Sequence, residues 1–238
     1  MCSQYELKLS LRDLAARTNS NINEPFNFES HIFPYKSAPI ILREKNLNTI
    51  KSMNYSLIPA WSKTSRSRFS SYNARLDRPS LDQNQSNLEL IYQAPAWRMP
   101  FRQQRCLVPI TGFFESCRVG SHAGNIVKFS AHENKQQPTI LIAAGIWDQW
   151  RNPITSEIIE SFAILTDDPI DFIKEVGHDR QPVFLNSSNA AIWLNHQQLN
   201  SEQAYKFLKT TQQDINYEVS IHRQLKESTP QADLFSGF

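Results

Sequence analysis

Glycine is scarce in this chain, with only six among 238 residues, and that scarcity closes off several chemistries. No Gly-x-x-x-x-Gly-Lys loop and no dinucleotide-type glycine fingerprint is present, nor a Gly-x-Ser-x-Gly nucleophile elbow. Cysteine is scarcer still. Cys2, Cys106 and Cys117 form an odd set without metal-ligand spacing, which suits a reducing cytoplasm rather than a disulfide scaffold. His122 and His132 lack ligand partners at zinc spacing, so no metal and no cofactor is expected. No window approaches the roughly 18 apolar residues of a membrane span, and the best apolar run, 140–147, has the length of a core strand. The N-terminus lacks the basic and apolar regions of a signal peptide. These absences lead us to expect a soluble cytoplasmic monomer.

What is present is ordinary in bulk and uneven in detail. Forty per cent of the residues are apolar and 20% charged, and the length allows one large domain or two small ones. The net charge is only +2, yet residues 63–105 hold eight basic side chains (Lys63, Arg66, Arg68, Arg75, Arg78, Arg98, Arg102, Arg105) against three acids. A polyanion-binding face has this signature, and so does a solvated arginine-rich loop. Trp61, Trp97, Trp147 and Trp193 read mostly as core, though Trp61 and Trp97 flank the stretch and could stack bases.

Local patterns give the architecture. Ser10-Leu11-Arg12-Asp13 resembles a capping box opening a short helix with Leu11, Leu14 and Ala15 on one face. Residues 19–30 read as an Asn-rich loop. Residues 39–42 and 55–58 read as strands, 62–71 as a loop, and 80–90 as either a helix or an excursion. Residues 106–110, 112–115, 126–130, 139–147 and 158–166 are rich in β-branched and aromatic types with turns between them, so all five are expected to be strands. Asp168-Pro169 signals a helix start, 170–176 the helix, and Gly177 its left-handed stop. A strand over 182–185, a helix from Ser187 or Ser188 to about 196, a helix over 202–208 and a strand over 217–222 complete the pattern. The expected fold class is α+β: one domain over 1–225 with a mostly antiparallel, barrel-like β core and a few short helices, then a polar tail over 226–238.

Four residues could carry chemistry. Cys2 follows the initiator methionine, and its small side chain suits removal of Met1. That would leave an α-amine and a thiol on adjacent carbons, with ordinary pKa values of about 7.7–8.0 and about 8.5. Such a 1,2-aminothiol condenses with an aldehyde to a Schiff base, which the thiol closes into a thiazolidine; a chance residue on a frayed terminus is the plainer reading. Glu115 ends Gly112-Phe113-Phe114-Glu115 and would serve as a general acid–base group in an apolar pocket, or be a solvated strand end. His178 follows Gly177 on a rigid turn, with Asp179 and Arg180 beside it, and is either functional or structural. Asn73, in Tyr72-Asn73-Ala74-Arg75, is a short polar residue next to the basic loop or a turn former.

Taken in order, these segments resemble one family, the SOS-response-associated peptidases, also called abasic-site-processing proteins. The matching pieces are Met1-Cys2; Leu57-Ile58-Pro59-Ala60-Trp61; Asn73-Ala74-Arg75; Arg105-Cys106-Leu107-Val108-Pro109 leading into Gly112-Phe113-Phe114-Glu115; Ala144-Gly145-Ile146-Trp147; Phe162-Ala163-Ile164-Leu165-Thr166; and His178-Asp179-Arg180-Gln181-Pro182. The resemblance implies a barrel-like core with a positively charged DNA groove. It also implies a protein that crosslinks itself to abasic sites in single-stranded DNA through its N-terminal cysteine, with proteolysis limited to self-maturation. Carried across, Cys2 is the nucleophile, Asn73 and His178 position and polarise the reacting groups, and Glu115 is the acid–base. Arg75 and Arg180 would hold flanking phosphates, and Trp61, Arg66, Arg68 and Arg105 would extend the DNA surface. DNA binding would make the protein nucleoid-associated. The chain departs from the family pattern at Ser3-Gln4 (usually glycine and arginine), at Ser56 (usually glycine), at Ser116 (usually tryptophan) and at Leu76-Asp77-Arg78.

The tail reads Gln231-Ala232-Asp233-Leu234-Phe235. It resembles the short peptide with which bacterial repair proteins bind the replicative sliding clamp, Gln231 anchoring and Leu234 and Phe235 entering an apolar pocket. Two rival functions stay open on sequence alone: an N-terminal-nucleophile hydrolase acting on amides through Cys2, and a single-strand-binding module whose cysteine is incidental.

Overall fold

The computed structural model describes residues 4–66, 69–79, 88–131, 138–211, 213 and 215–225. Its elements in chain order are β1 (Gln4–Glu6), α1 (Leu11–Thr18), β2 (Asn21–Ile22), β3 (His31–Ile32), β4 (Ser37–Glu44), β5 (Leu47–Tyr55), β6 (Asn73–Arg75), β7 (Asp77–Pro79), β8 (Leu88–Leu90), α2 (Arg98–Gln103), β9 (Arg105–Ile110), β10 (Gly112–Cys117), β11 (Asn125–Ala131), β12 (Leu141–Arg151), β13 (Ile158–Asp167), α3 (Asp171–Val176), β14 (Gln181–Pro182), α4 (Ser187–Leu194), α5 (Ser201–Thr210) and β15 (Tyr217–Gln224).

Five of these strands close on themselves. β13, β12, β9, β4 and β5 pair antiparallel in turn, and a short parallel contact between β13 and β5 (Ser161 opposite Asn54, Phe162 opposite Tyr55) completes the barrel. All six residues of β9 are buried, as a strand covered on both faces requires, and its run of apolar side chains supplies that. Gly145 on β12 is where the barrel tightens: an added Cβ would sit 2.8 Å from Cys106 Sγ and 2.9 Å from Val108 Cγ2. A second, wholly antiparallel sheet, in the order β15-β11-β10-β1-β3, packs against the barrel. Tyr5 of β1 joins the two layers, its ring edge-on to Tyr55, which stacks on Phe162 of the barrel.

Local chemistry explains most element ends and corrects several expectations. Ser10 caps α1, its hydroxyl accepting from the Asp13 N–H at 3.1 Å, and Leu14 is the buried anchor. The strand expected over 55–58 ends instead at Tyr55, because Ser56 turns the chain at φ +125°. That backbone favours glycine, and Ser56 holds it buried with its hydroxyl 3.0 Å from that of Ser71. Asp168-Pro169 does not cap α3; the N-cap is Ile170, and Asp168 turns to Arg75. Asn186, not Ser187 or Ser188, caps α4 through its side chain. The 19–30 loop contains the two-residue β2, and 182–185 is reduced to the β14 pairing plus a bridge at Phe184. β12 runs on to Arg151, taking in the buried Trp150. Within 80–90, only β8 falls among the described residues.

The strand next to the N-terminus is held by charge. Glu6 of β1 accepts from Lys128 at 2.6 Å and pairs with Lys8 at 2.9 Å, with its side chain 10% exposed. Burial alone would raise its carboxyl, but the two ammonium groups more than offset this and leave it below the usual carboxylate range. A lowered folded pKa means stability that is present above the unfolded value and lost as pH falls. Glu6→Gln is therefore expected to cost about 1.5–3 kcal/mol at pH 7. Urea denaturation of both proteins at several pH values should show that gap narrowing once the pH drops below about 4.3.

Candidate active site

The site forms where the end of β10 meets the chain leaving β13. Glu115, on β10, is 1% exposed, and its Oε2 lies 3.0 Å from His178 Nε2. The other imidazole nitrogen, Nδ1, lies 2.9 Å from the carbonyl oxygen of Arg180. A carbonyl can only accept, so Nδ1 carries a proton, and in neutral His178 the bare nitrogen is Nε2. The 3.0 Å separation sets that nitrogen against a carboxyl oxygen. A carboxyl and an imidazole at this distance are the group types that general acid–base chemistry uses. Asp179, 3.9 Å from the same nitrogen, is exposed.

A lock between two turns holds His178 in place. Gly177 ends α3 at φ +120°, and its N–H bonds back to the carbonyls of Ile173 and Lys174. The N–H groups of Ser121 and His122 cap the last carbonyls of α3, those of Glu175 and Val176. A Cβ on Gly177 would collide with the carbonyl of Val119 in the turn that follows β10. The absence of a side chain lets the helix end sit directly on that turn, which sets the imidazole against Glu115.

Two arginines complete the site. β6 pairs parallel with β13, placing Arg75 opposite Thr166 and Asn73 opposite Ile164. The period of two puts Asn73 and Arg75 on one face of their strand. Arg180 is buried (5% exposed) with its Nη1 unpartnered; Arg75 Nε and Thr166 Oγ1 are likewise buried and unpartnered. Burial, and then the nearby Arg75 charge, lower the Arg180 pKa against the pull of Asp179, Asp168 and Glu115. Two cations held together with unused donors make an anion-binding corner. The adjoining cleft, about 960 Å³, is lined by Arg75, Ser116, Arg118, Lys174, His178 and Asp179 among others.

The remaining candidates divide. Trp61 is 63% exposed and lines a separate hollow with Lys63, Arg66 and Phe69. Trp97 is buried, edge-on to Phe69, and offers no face to a base. Arg105 is corrected: it is 4% exposed, lies 4.7 Å over the Trp193 ring, and donates to the carbonyls of Phe101 and Leu199, so it braces the interior. Cys2, Arg68, Gln231, Leu234 and Phe235 lie outside the described residues. Thr166, Arg118 and Lys174 were not singled out from the sequence, where nothing sets them apart from other strand threonines and surface cations. Asp77, Asp167 and Asp168 bring carboxylate oxygens together, but Lys209 already bridges Asp77 at 3.3 Å and Asp167 at 2.6 Å. Tyr205 also donates to Asp77 at 3.0 Å, and burial with that carboxylate pushes its phenol up to about 12.

The chain resembles known proteins over nearly its whole length. It is 23% identical over 198 residues to the abasic site processing protein YoqW of Bacillus subtilis, covering 82% of this chain and 80% of that one. It is 24% identical over 226 residues to the abasic site processing protein HMCES of Gallus gallus, covering 83% and 63% respectively. A crystal structure of a protein from Bacteroides thetaiotaomicron superimposes with a TM-score of 0.71 at 23% identity, covering 93% of this chain and 92% of that one. Among the described residues no helix is long and apolar enough to cross a membrane. The family model described as SOS response associated peptidase (SRAP) matches residues 1–225, and the chain belongs to that family.

Proposed function

We propose that this protein processes abasic sites in single-stranded DNA by capturing the lesion covalently on Cys2. The observation that carries this reading is the buried Glu115–His178 pair, Oε2 and Nε2 3.0 Å apart, beside the buried donors of Arg75 and Arg180. The names of the curated relatives supply the lesion. Chain connectivity supports the nucleophile. Gln4 pairs with Phe114, the neighbour of Glu115, so the first described residue lies beside the strand that carries the carboxylate.

The chemistry follows from these parts. A lost base leaves a deoxyribose that opens to an aldehyde, a step His178 would assist by protonating the ring oxygen. The Cys2 amine adds to the aldehyde carbon, forming a carbinolamine. Glu115 protonates its hydroxyl, water leaves, and an imine forms. The Cys2 thiol then adds across the imine, its proton passing to nitrogen, and the thiazolidine closes with one water released overall. Arg75 and Arg180 would hold the flanking phosphates, and Asn73 would orient the sugar from the same strand face. Single strands suit the site because the lesion must be unstacked to reach it.

The direct test mixes mature protein with a uracil-containing single strand treated with uracil glycosylase, followed by a denaturing gel. A shifted band is expected with wild type and none with Cys2→Ala or Cys2→Ser. Turnover of peptide substrates that depends on Cys2, with no shifted band, would replace this reading by a hydrolase.

A further inference from the structure

The turn joining β3 to β4 carries a residue whose backbone does not suit it. In Phe33-Pro34-Tyr35-Lys36 the Lys36 N–H donates to the Phe33 carbonyl at 3.1 Å, and Tyr35 has φ +69°. Proline followed by a positive-φ residue makes a type II turn, whose third position normally belongs to glycine or asparagine. A bulky aromatic there is a genuine outlier, and such strain persists where the side chain has another use. Burial is not that use: Tyr35 is 50% exposed, and the Arg66 guanidinium lies 5.5 Å from its ring centroid.

Its surroundings say what the ring faces. Phe33, 40% exposed, is the outer member of a three-ring stack: it lies 4.5 Å from His31, which lies 4.5 Å from Phe114, with planes within 18°. β3 pairs with β1, so the turn follows a strand that lies beside the first described residues. The Tyr35 N–H donates to the Tyr55 carbonyl, and the Tyr55 ring meets Tyr72, the residue before Asn73. The strained turn is therefore linked through Tyr55 to the residue that precedes Asn73. Exposed rings with a cation against them, at the edge of a polyanion site, match the chemistry that holds unpaired bases.

We infer that Tyr35, with Arg66 and Phe33 beside it, is a stacking platform for an unpaired nucleobase flanking the lesion. The inference rests on single-stranded DNA being the substrate and names a contact for that same site. Arg66 serves twice, against the ring and toward the phosphate backbone, so the two side chains should leave different signatures.

Anisotropy of a fluorescein-labelled, lesion-free single strand, titrated over a salt series, separates them. Tyr35→Gly should melt at a higher temperature than wild type, because glycine takes φ +69° freely. It should nonetheless bind the strand roughly 5- to 100-fold more weakly, with an unchanged salt slope. Tyr35→Phe should bind like wild type. Arg66→Ala should flatten the slope of log K against log salt by about 0.7. Wild-type affinity in Tyr35→Gly, or no binding of intact strands by wild type, overturns the platform. The crosslinking gel is scored separately: if wild type forms no adduct while Tyr35→Gly still loses affinity, covalent capture fails and the platform stands.

Discussion

Glu115→Gln should fold normally, bind an intact single strand as wild type does, and form the covalent adduct about 10²- to 10⁴-fold more slowly. Glutamine has nearly the shape of glutamate, and its amide N–H can donate to the bare Nε2 of His178, so the buried 3.0 Å contact can survive. What it cannot do is release a proton to the leaving hydroxyl. Because the same group must take that proton back when the ring reopens, reversal should slow together with formation. Quenched time courses on denaturing gels measure both directions, and thermal melting checks the fold. Adduct formation at the wild-type rate would remove Glu115 from the chemistry.

The second large effect concerns a residue that touches no substrate. Gly177→Ala asks an L-residue to adopt φ +120° and drives a methyl group into the Val119 carbonyl. Backbone strain of this kind costs about 1–3 kcal/mol, and a clash with backbone rather than a flexible side chain adds to it. A loss of at least about 3 kcal/mol is expected in urea denaturation. Separation of the two turns should also draw His178 away from Glu115. Adduct formation should then slow, and Gly177→Ala combined with His178→Ala should be no slower than His178→Ala alone. Gly124→Ala is the control: its φ is +81° but nothing lies within 4 Å of the added methyl, so only strain is introduced. A Gly177→Ala protein that melts and reacts like the Gly124→Ala protein would show that the lock does not position the imidazole.

Much of the β core could be read from residue order, because apolar, β-branched and aromatic runs such as 106–110 and 161–166 record burial on both faces. The reading failed where two local signals compete. Asp168-Pro169 looks like a helix start, but Asp168 has a tertiary partner in Arg75, and the helix begins after Ile170. Ser187 and Ser188 both suit a cap, yet Asn186 accepts the Asn189 N–H at 2.9 Å. Arg105 failed for a different reason. Its charge placed it with the basic surface, but β9 is the central barrel strand, and its guanidinium is held inside against Trp193. Trp97 and Trp61 both suit a core reading, yet Trp97 is buried and Trp61 is exposed, since exposure of an aromatic depends on what packs over it. Tyr35 drew no notice at all, because a positive φ in a non-glycine residue has no reliable signature in composition.

What the sequence determined by itself is the set of candidate groups and the local conformations that present them: a cysteine behind Met1, a carboxylate closing an aromatic strand, an imidazole after a glycine stop. These depend on neighbours a few positions away, and propensity, capping and turn chemistry act over that range. The tertiary structure alone decided that Glu115 and His178 come within 3.0 Å of each other, that Arg75 and Arg180 lie together and that Arg105 does not join them. Those outcomes depend on strands far apart in the chain closing into a barrel, where register and burial, not residue type, select which charges meet solvent.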